Sequence, residues 1–146
     1  MRLILTLIIG LAFAPVIGTA ALAVDDISAT DAWRQVKAGK LTIVDVRSPA
    51  EWRDTGVAKG AWKITIHGKE RMAGFLKQLL ARTGGDRSRR ISLICATGVR
   101  SDYTLRFLRR NGFINVSHIA EGMMGRSVFR GGGKGWLKHR LPLARR

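Results

Sequence analysis

The segment Ile91–Phe113, ISLICATGVRSDYTLRFLRRNGF, holds Cys95, the only cysteine of the 146-residue chain. An apolar run, Ile91 to Ile94, leads into it, and Ala96, Thr97, Gly98, Val99, Arg100 and Ser101 follow. In open α/β sheets ligands bind beyond the carboxyl ends of the strands, which is where Cys95 stands if Ile91–Ile94 is a strand. Gly98 tolerates positive φ, and a helix opening at Ser101 would turn several backbone N–H groups into the same concavity. Those donors, together with Arg100, favour the thiolate of Cys95 and an anion beside it. A lone cysteine at a strand end is more often a small packed hydrophobe. The combination of strand, glycine loop, arginine and helix start raises the nucleophile above that reading. With no second cysteine, a C-x-x-C redox pair, an intramolecular disulfide and a thiolate zinc cluster are all excluded.

The elements that would position this loop can be followed along the chain. Ser28, Thr30 and Asp31 are candidate caps for a helix running to about Ala38, with Gly39 as its stop. Leu41 to Val46 is apolar and β-branched, as expected of a strand buried on both faces. Ser48, Pro49 and Glu51 then give an N-cap, a first-turn proline and a capping-box acid, so a short helix begins at that strand's carboxyl end. Turns at Gly56 and Gly60 lead to a strand around Trp62 to Ile66. Met72, Phe75, Leu76, Leu79 and Leu80 recur at helical spacing between Gly68 and about Arg82. Ile91–Ile94 is the third core strand, Ser101 to Asn111 is helical with Gly112 as its stop, and Phe113 opens another strand. This alternation predicts an α/β domain with a mainly parallel sheet flanked by helices on both faces. No repeat of fixed period is visible, and Gly131-Gly132-Gly133 reads as a loop because too few residues follow it to fold alone.

The amino terminus has a different character. Arg2, the apolar run Leu3 to Ile17 and the small residues ending in Ala21-Leu22-Ala23 have the order of a secretory signal peptide. Cleavage is expected between Ala23 and Val24, leaving residues 24–146 as one exported domain, periplasmic or secreted. The alternative is a membrane anchor formed by residues 3–24, since a span needs about 20 apolar residues. Pro15 and Gly18 favour cleavage, and no second apolar segment of that length follows. The formal charge of +16, from 26 Lys and Arg against 10 Asp and Glu, predicts attraction to anions. Arg106, Arg109 and Arg110 are spaced like a solvated helix face without aromatic interleaving, so no nucleic-acid partner is expected.

Six segments together resemble the successive signatures of a single-domain rhodanese: IVDVRSPAEW, GVAKGA, LICATGVRS, GF, EGMMG and GWLKHRLPL. They cover nearly all of residues 26–143. The C-x-x-G-x-R-S loop from Cys95 to Ser101 is the most specific, followed by D-V-R-x-x-x-E from Asp45 to Glu51. The resemblance implies a five-stranded, mainly parallel sheet between helices and a sulfurtransferase whose Cys95 cycles through a persulfide. It implies a sulfur-containing anion such as thiosulfate as donor, cyanide or a thiol (of a small molecule or a protein) as acceptor, and no cofactor. Residues Ala96 to Ser101 would hold the substrate, with Arg100 reinforcing the loop electrostatically or by tying its carbonyls. Asp45 and Arg47 are read as a supporting pair that orients loops.

Related phosphatases and arsenate reductases place five residues between Cys and Arg, whereas Cys95 and Arg100 enclose four. The tighter ring suits a sulfur atom, so phosphatase or arsenate reductase activity is the weaker enzyme reading. A non-catalytic persulfide carrier or docking module is the other alternative. The chain departs from the family's G-H-I-P-G-A pattern at Gly56 to Ala61, and its basic, glycine-rich segment 122–135 exceeds a minimal member. That segment is read as a solvated loop, with a flap that recruits a donor or partner as the less favoured reading. His67, His118 and His139 have no metal-ligand spacing, and His118 is expected to be a satisfied structural group. No metal is expected.

Overall fold

The computed structural model describes residues 25–144. The leader and its cleavage point lie outside these residues. Among them, no helix is long and apolar enough to cross a membrane. In chain order the elements are β1 (Asp26–Ile27), α1 (Ala29–Lys37), β2 (Thr42–Asp45), α2 (Pro49–Thr55), β3 (Trp62–Lys63), α3 (Arg71–Thr83), β4 (Ile91–Ile94), α4 (Val99–Arg110) and β5 (Val116–Ile119). A short 3-10 turn, Val128–Arg130, follows. The five strands form one parallel sheet in the order β1-β5-β4-β2-β3, which puts β4 in its centre.

Alternation along the strands divides the core into two layers, because successive side chains point to opposite faces. Val44 of β2 and Ile91 and Leu93 of β4 face α3 and α4, where Phe75, Leu79, Leu105 and Leu108 are fully buried. Ile43, Ile94 and Ile119 face the other way, against Ala29 and Ala32 of α1 and the buried Trp136. Trp136 meets Trp33 edge-on at 6.0 Å, so the carboxyl-terminal segment closes the layer that one helix alone would leave open.

Element boundaries follow local hydrogen bonding. Ser28 is the cap of α1, accepting from the Asp31 N–H at 3.1 Å. The capping box expected at Ser48 and Glu51 is complete, and Pro49 occupies the first turn of α2. The strand expected over Trp62 to Ile66 shortens to two residues, although the Ile64 and Ile66 N–H groups still donate to the Asp45 and Val46 carbonyls at 3.1 and 3.2 Å. The helix expected from Gly68 begins at Arg71, after a turn in which the Arg71 N–H bonds to the Gly68 carbonyl. The helix expected from Ser101 starts two residues earlier: the Asp102 N–H already bonds the Gly98 carbonyl, making Gly98 the cap. Phe113 belongs to the stop of α4, its N–H bonded to Leu108, and the last strand begins only at Val116. The strand Asp26–Ile27, beside β5, has no counterpart in the sequence pattern.

Candidate active site

Cys95 leaves the carboxyl end of β4, the central strand, and is 1% exposed. The chain turns at Gly98, whose φ of 89° is a left-handed conformation that favours glycine. A Cβ at Gly98 would stand 2.1 Å from the Ala120 carbonyl oxygen, so the loop is also held close against the end of β5. The Gly98 N–H thereby points back at the Cys95 sulfur, donating to Sγ at 3.2 Å. The turn after β5 fixes the other side, with the Met123 and Met124 N–H groups donating to the Cys95 and Ala96 carbonyls at 2.9 and 2.8 Å. Gly122 permits this, since a Cβ there would lie 2.6 Å from both of those carbonyl oxygens.

Arg100, in the first turn of α4, reaches across to α2. Its guanidinium donates to both Glu51 carboxylate oxygens, at 2.8 and 2.5 Å, and from Nη1 to His67 Nε2 at 2.9 Å. Of the two roles expected for Arg100, tying the loop carbonyls is not what the side chain does: its partners are a carboxylate and an imidazole. The Arg100 hydrogen bond holds the Glu51 carboxyl down at about 2, helped by the Ser48 N–H and hydroxyl and against the effect of burial. Glu51 in turn raises Arg100 above the ordinary arginine value, with a smaller contribution from the neighbouring Cys95. Arg100 is therefore a fixed positive charge beside the sulfur, aimed by Glu51.

Asp45 and Arg47 lie at the end of β2, next to β4, and are fully buried. Arg47 Nε donates to Asp45 at 3.0 and 3.1 Å and Nη2 at 2.7 Å, while its remaining donors reach the Thr55 hydroxyl and the Gly56 carbonyl, both at 2.6 Å. The pair thus binds the strand end to the far end of α2 and makes no hydrogen bond to the Cys95 loop. Ala96 is half-buried, Thr97 and Val99 are exposed, and Gly98 and Ser101 are buried.

Four side chains at the site were outside the predicted set. Glu51 carries a signal, since it closes the D-V-R-x-x-x-E segment, but the sequence assigned it only to a cap. Arg130 donates to the Thr97 carbonyl at 3.4 Å, which brings the basic segment onto the loop's rim. His67 holds Arg100, and His118 Nδ1 lies 3.2 Å from the Ser101 hydroxyl, which is itself 3.5 Å from the Cys95 sulfur. A single histidine on a loop or a strand has no periodicity to betray such partners.

Comparison with known proteins agrees with this geometry. The family model for the rhodanese-like domain matches residues 28–126. The polysulfide-sulfur transferase homodimer of Wolinella succinogenes is similar in structure, with 25% identity and a TM-score of 0.59 over 84% of this chain and 79% of that one. A protein of M. tuberculosis superposes with a TM-score of 0.64 at 22% identity, over 83% of this chain and 97% of that one. A Rhodopseudomonas palustris protein described as a possible tyrosine phosphatase gives 0.56 at 20% identity, over 92% and 100%. These last two likenesses concern the fold alone. No curated protein matches the chain. With the family model spanning four of the five strands and the Cys95 loop together, the chain belongs to the rhodanese-like domain family.

Proposed function

We propose that this protein is a sulfurtransferase that carries a sulfane sulfur on Cys95, taking it from thiosulfate or a related anion. The observation that carries the reading is the Cys95 sulfur at the centre of the sheet's carboxyl edge, facing the Gly98 N–H at 3.2 Å inside a ring that only four residues separate from Arg100. The Cys95 thiolate attacks the outer sulfur of thiosulfate, a new S–S bond forms, and the bonding pair of the old one leaves with sulfite. Cyanide or a thiolate then attacks that outer sulfur, and the thiolate of Cys95 departs. Negative charge stays on sulfur throughout, so the Gly98 N–H and the Arg100 charge stabilise each state of the cycle.

The net charge of +16 supports attraction of such anions, and the signal-peptide pattern of residues 1–23 supports a reaction outside the cytoplasm. Thiocyanate production from thiosulfate and cyanide tests the reading. The wild type should turn over and Cys95→Ser should not; equal production by both would overturn it. A second reading, a carrier that yields its sulfur only to a protein, draws support from Phe129, 98% exposed on the segment whose Arg130 touches the loop. Loading of sulfur without release to cyanide would favour it.

A further inference from the structure

His118 is 2% exposed on β5 and is used by nothing in the sulfur-transfer cycle above. Its two ring nitrogens face different partners: Nε2 lies 2.8 Å from the Asp26 carboxylate and Nδ1 lies 3.2 Å from the Ser101 hydroxyl. An ionised carboxylate only accepts, so Nε2 carries a proton and donates to Asp26. The Nδ1 of a neutral ring is then left as an acceptor, aimed at Ser101. The Ser101 hydroxyl continues the line to the Cys95 sulfur at 3.5 Å; it donates to the Gly98 carbonyl at 3.1 Å, a bond it exchanges for one to Nδ1 by rotating about Cβ–Oγ. The parallel pairing of β1 with β5 aligns Asp26 directly with His118, and the turn into α4 supplies Ser101, so three separate elements converge on one line.

We propose that Ser101 and His118, with Asp26 orienting the ring, form a proton relay for Cys95. Ser101 passes its hydroxyl proton to His118 Nδ1 and takes the thiol proton, while the S–H bonding pair stays on sulfur. The products are a Cys95 thiolate and a His118 imidazolium. No outside reactant is consumed, and the imidazolium is held by Asp26 in the manner of a carboxylate that orients a catalytic histidine. The charged groups around the relay are compatible with it. Arg126 stands 3.9 Å from Asp26, Arg109 of α4 pairs with the adjacent Asp25, and Gly133 packs close to the side chain of Glu121, beyond β5. On the sulfur's side stand Arg100, its partner Glu51 and His67. The consequence is a site whose nucleophile forms by internal transfer, its availability following the protonation of His118.

The inference rests on Cys95 being a nucleophile, but its test needs neither sulfur donor nor acceptor, so the two readings can fail separately. Cys95 is the only thiol, which makes the pH dependence of iodoacetamide alkylation site-specific in the full chain. His118→Asn, whose amide can still bond Ser101 but cannot take up its proton, should displace the profile upward by about one pH unit, an approximately tenfold slower reaction on its acid limb. Asp26→Asn, at a 57% exposed side chain, leaves the ring in place and should displace the profile in the same direction by less. A purely structural role would scale the rate without moving the midpoint. Should His118→Asn fail to fold, the His118 ring titration followed by NMR in wild type and Cys95→Ser decides: a midpoint that moves when the thiol is removed supports the relay. Folded variants with unmoved profiles, or a His118 titration blind to Cys95, would overturn it.

Discussion

Two arginine–carboxylate pairs stand at the same end of the sheet and differ in burial. Arg47–Asp45 is sealed, with side chains 1% and 0% exposed, and every donor of Arg47 is directed at β2 or α2. Arg100–Glu51 is 29% and 31% exposed and lies beside Cys95. In the sealed pair the charges neutralise each other out of water, so the pair organises the backbone. The open pair keeps its cation where an incoming anion can meet it. One sequence signature, from Asp45 to Glu51, supplies three of the four members, giving a short segment both a structural and an electrostatic task.

Breaking each pair in turn should separate those tasks. The largest effect is expected from Arg47→Ala, which leaves Asp45 buried without its partner and should cost about 3–5 kcal/mol in urea unfolding. Arg100→Ala should change stability by only about 1 kcal/mol, as expected for a partly exposed pair. Its effect falls on the reaction, where thiocyanate turnover should drop on the order of 10²-fold through loss of charge stabilisation at the sulfur. Equal stability losses for the two arginines would remove the distinction.

A smaller and sharper test uses pH. Folding lowers the Glu51 carboxyl from 4.5 to about 2, so its stabilising contribution is complete above pH 4.5 and is lost as pH falls through about 2. Glu51→Gln should therefore be less stable than the wild type near neutrality, and the difference should shrink across that window. A pH-independent difference would mean that Glu51 acts by its shape and not by its charge.

The contrast also explains what could be read from the chain alone. Ser48, Pro49 and Glu51 predict α2 because a capping box is local, and the apolar run before Cys95 predicts the central strand because burial on both faces removes alternation. The loop's glycine and its Cys-to-Arg spacing are likewise contiguous. The partners that were missed are distant in sequence: Arg100 meets Glu51 across 49 positions and His67 across 33, and His118 meets Asp26 across 92. Asp26–Ile27 was not legible as a strand, since two residues hold no period and β5 alone recruits them. Trp136 entered the sequence reading only within the closing segment GWLKHRLPL, yet it is fully buried, because α1 leaves part of its face of the sheet uncovered.

The central claim is that Cys95 itself holds the transferred sulfur, and intact mass of the protein after incubation with thiosulfate tests it most directly. The wild type should gain the mass of one sulfur atom, lose it on addition of cyanide, and Cys95→Ser should gain nothing. A wild type that stays unmodified, or a Cys95→Ser protein that gains the same mass, would contradict the account.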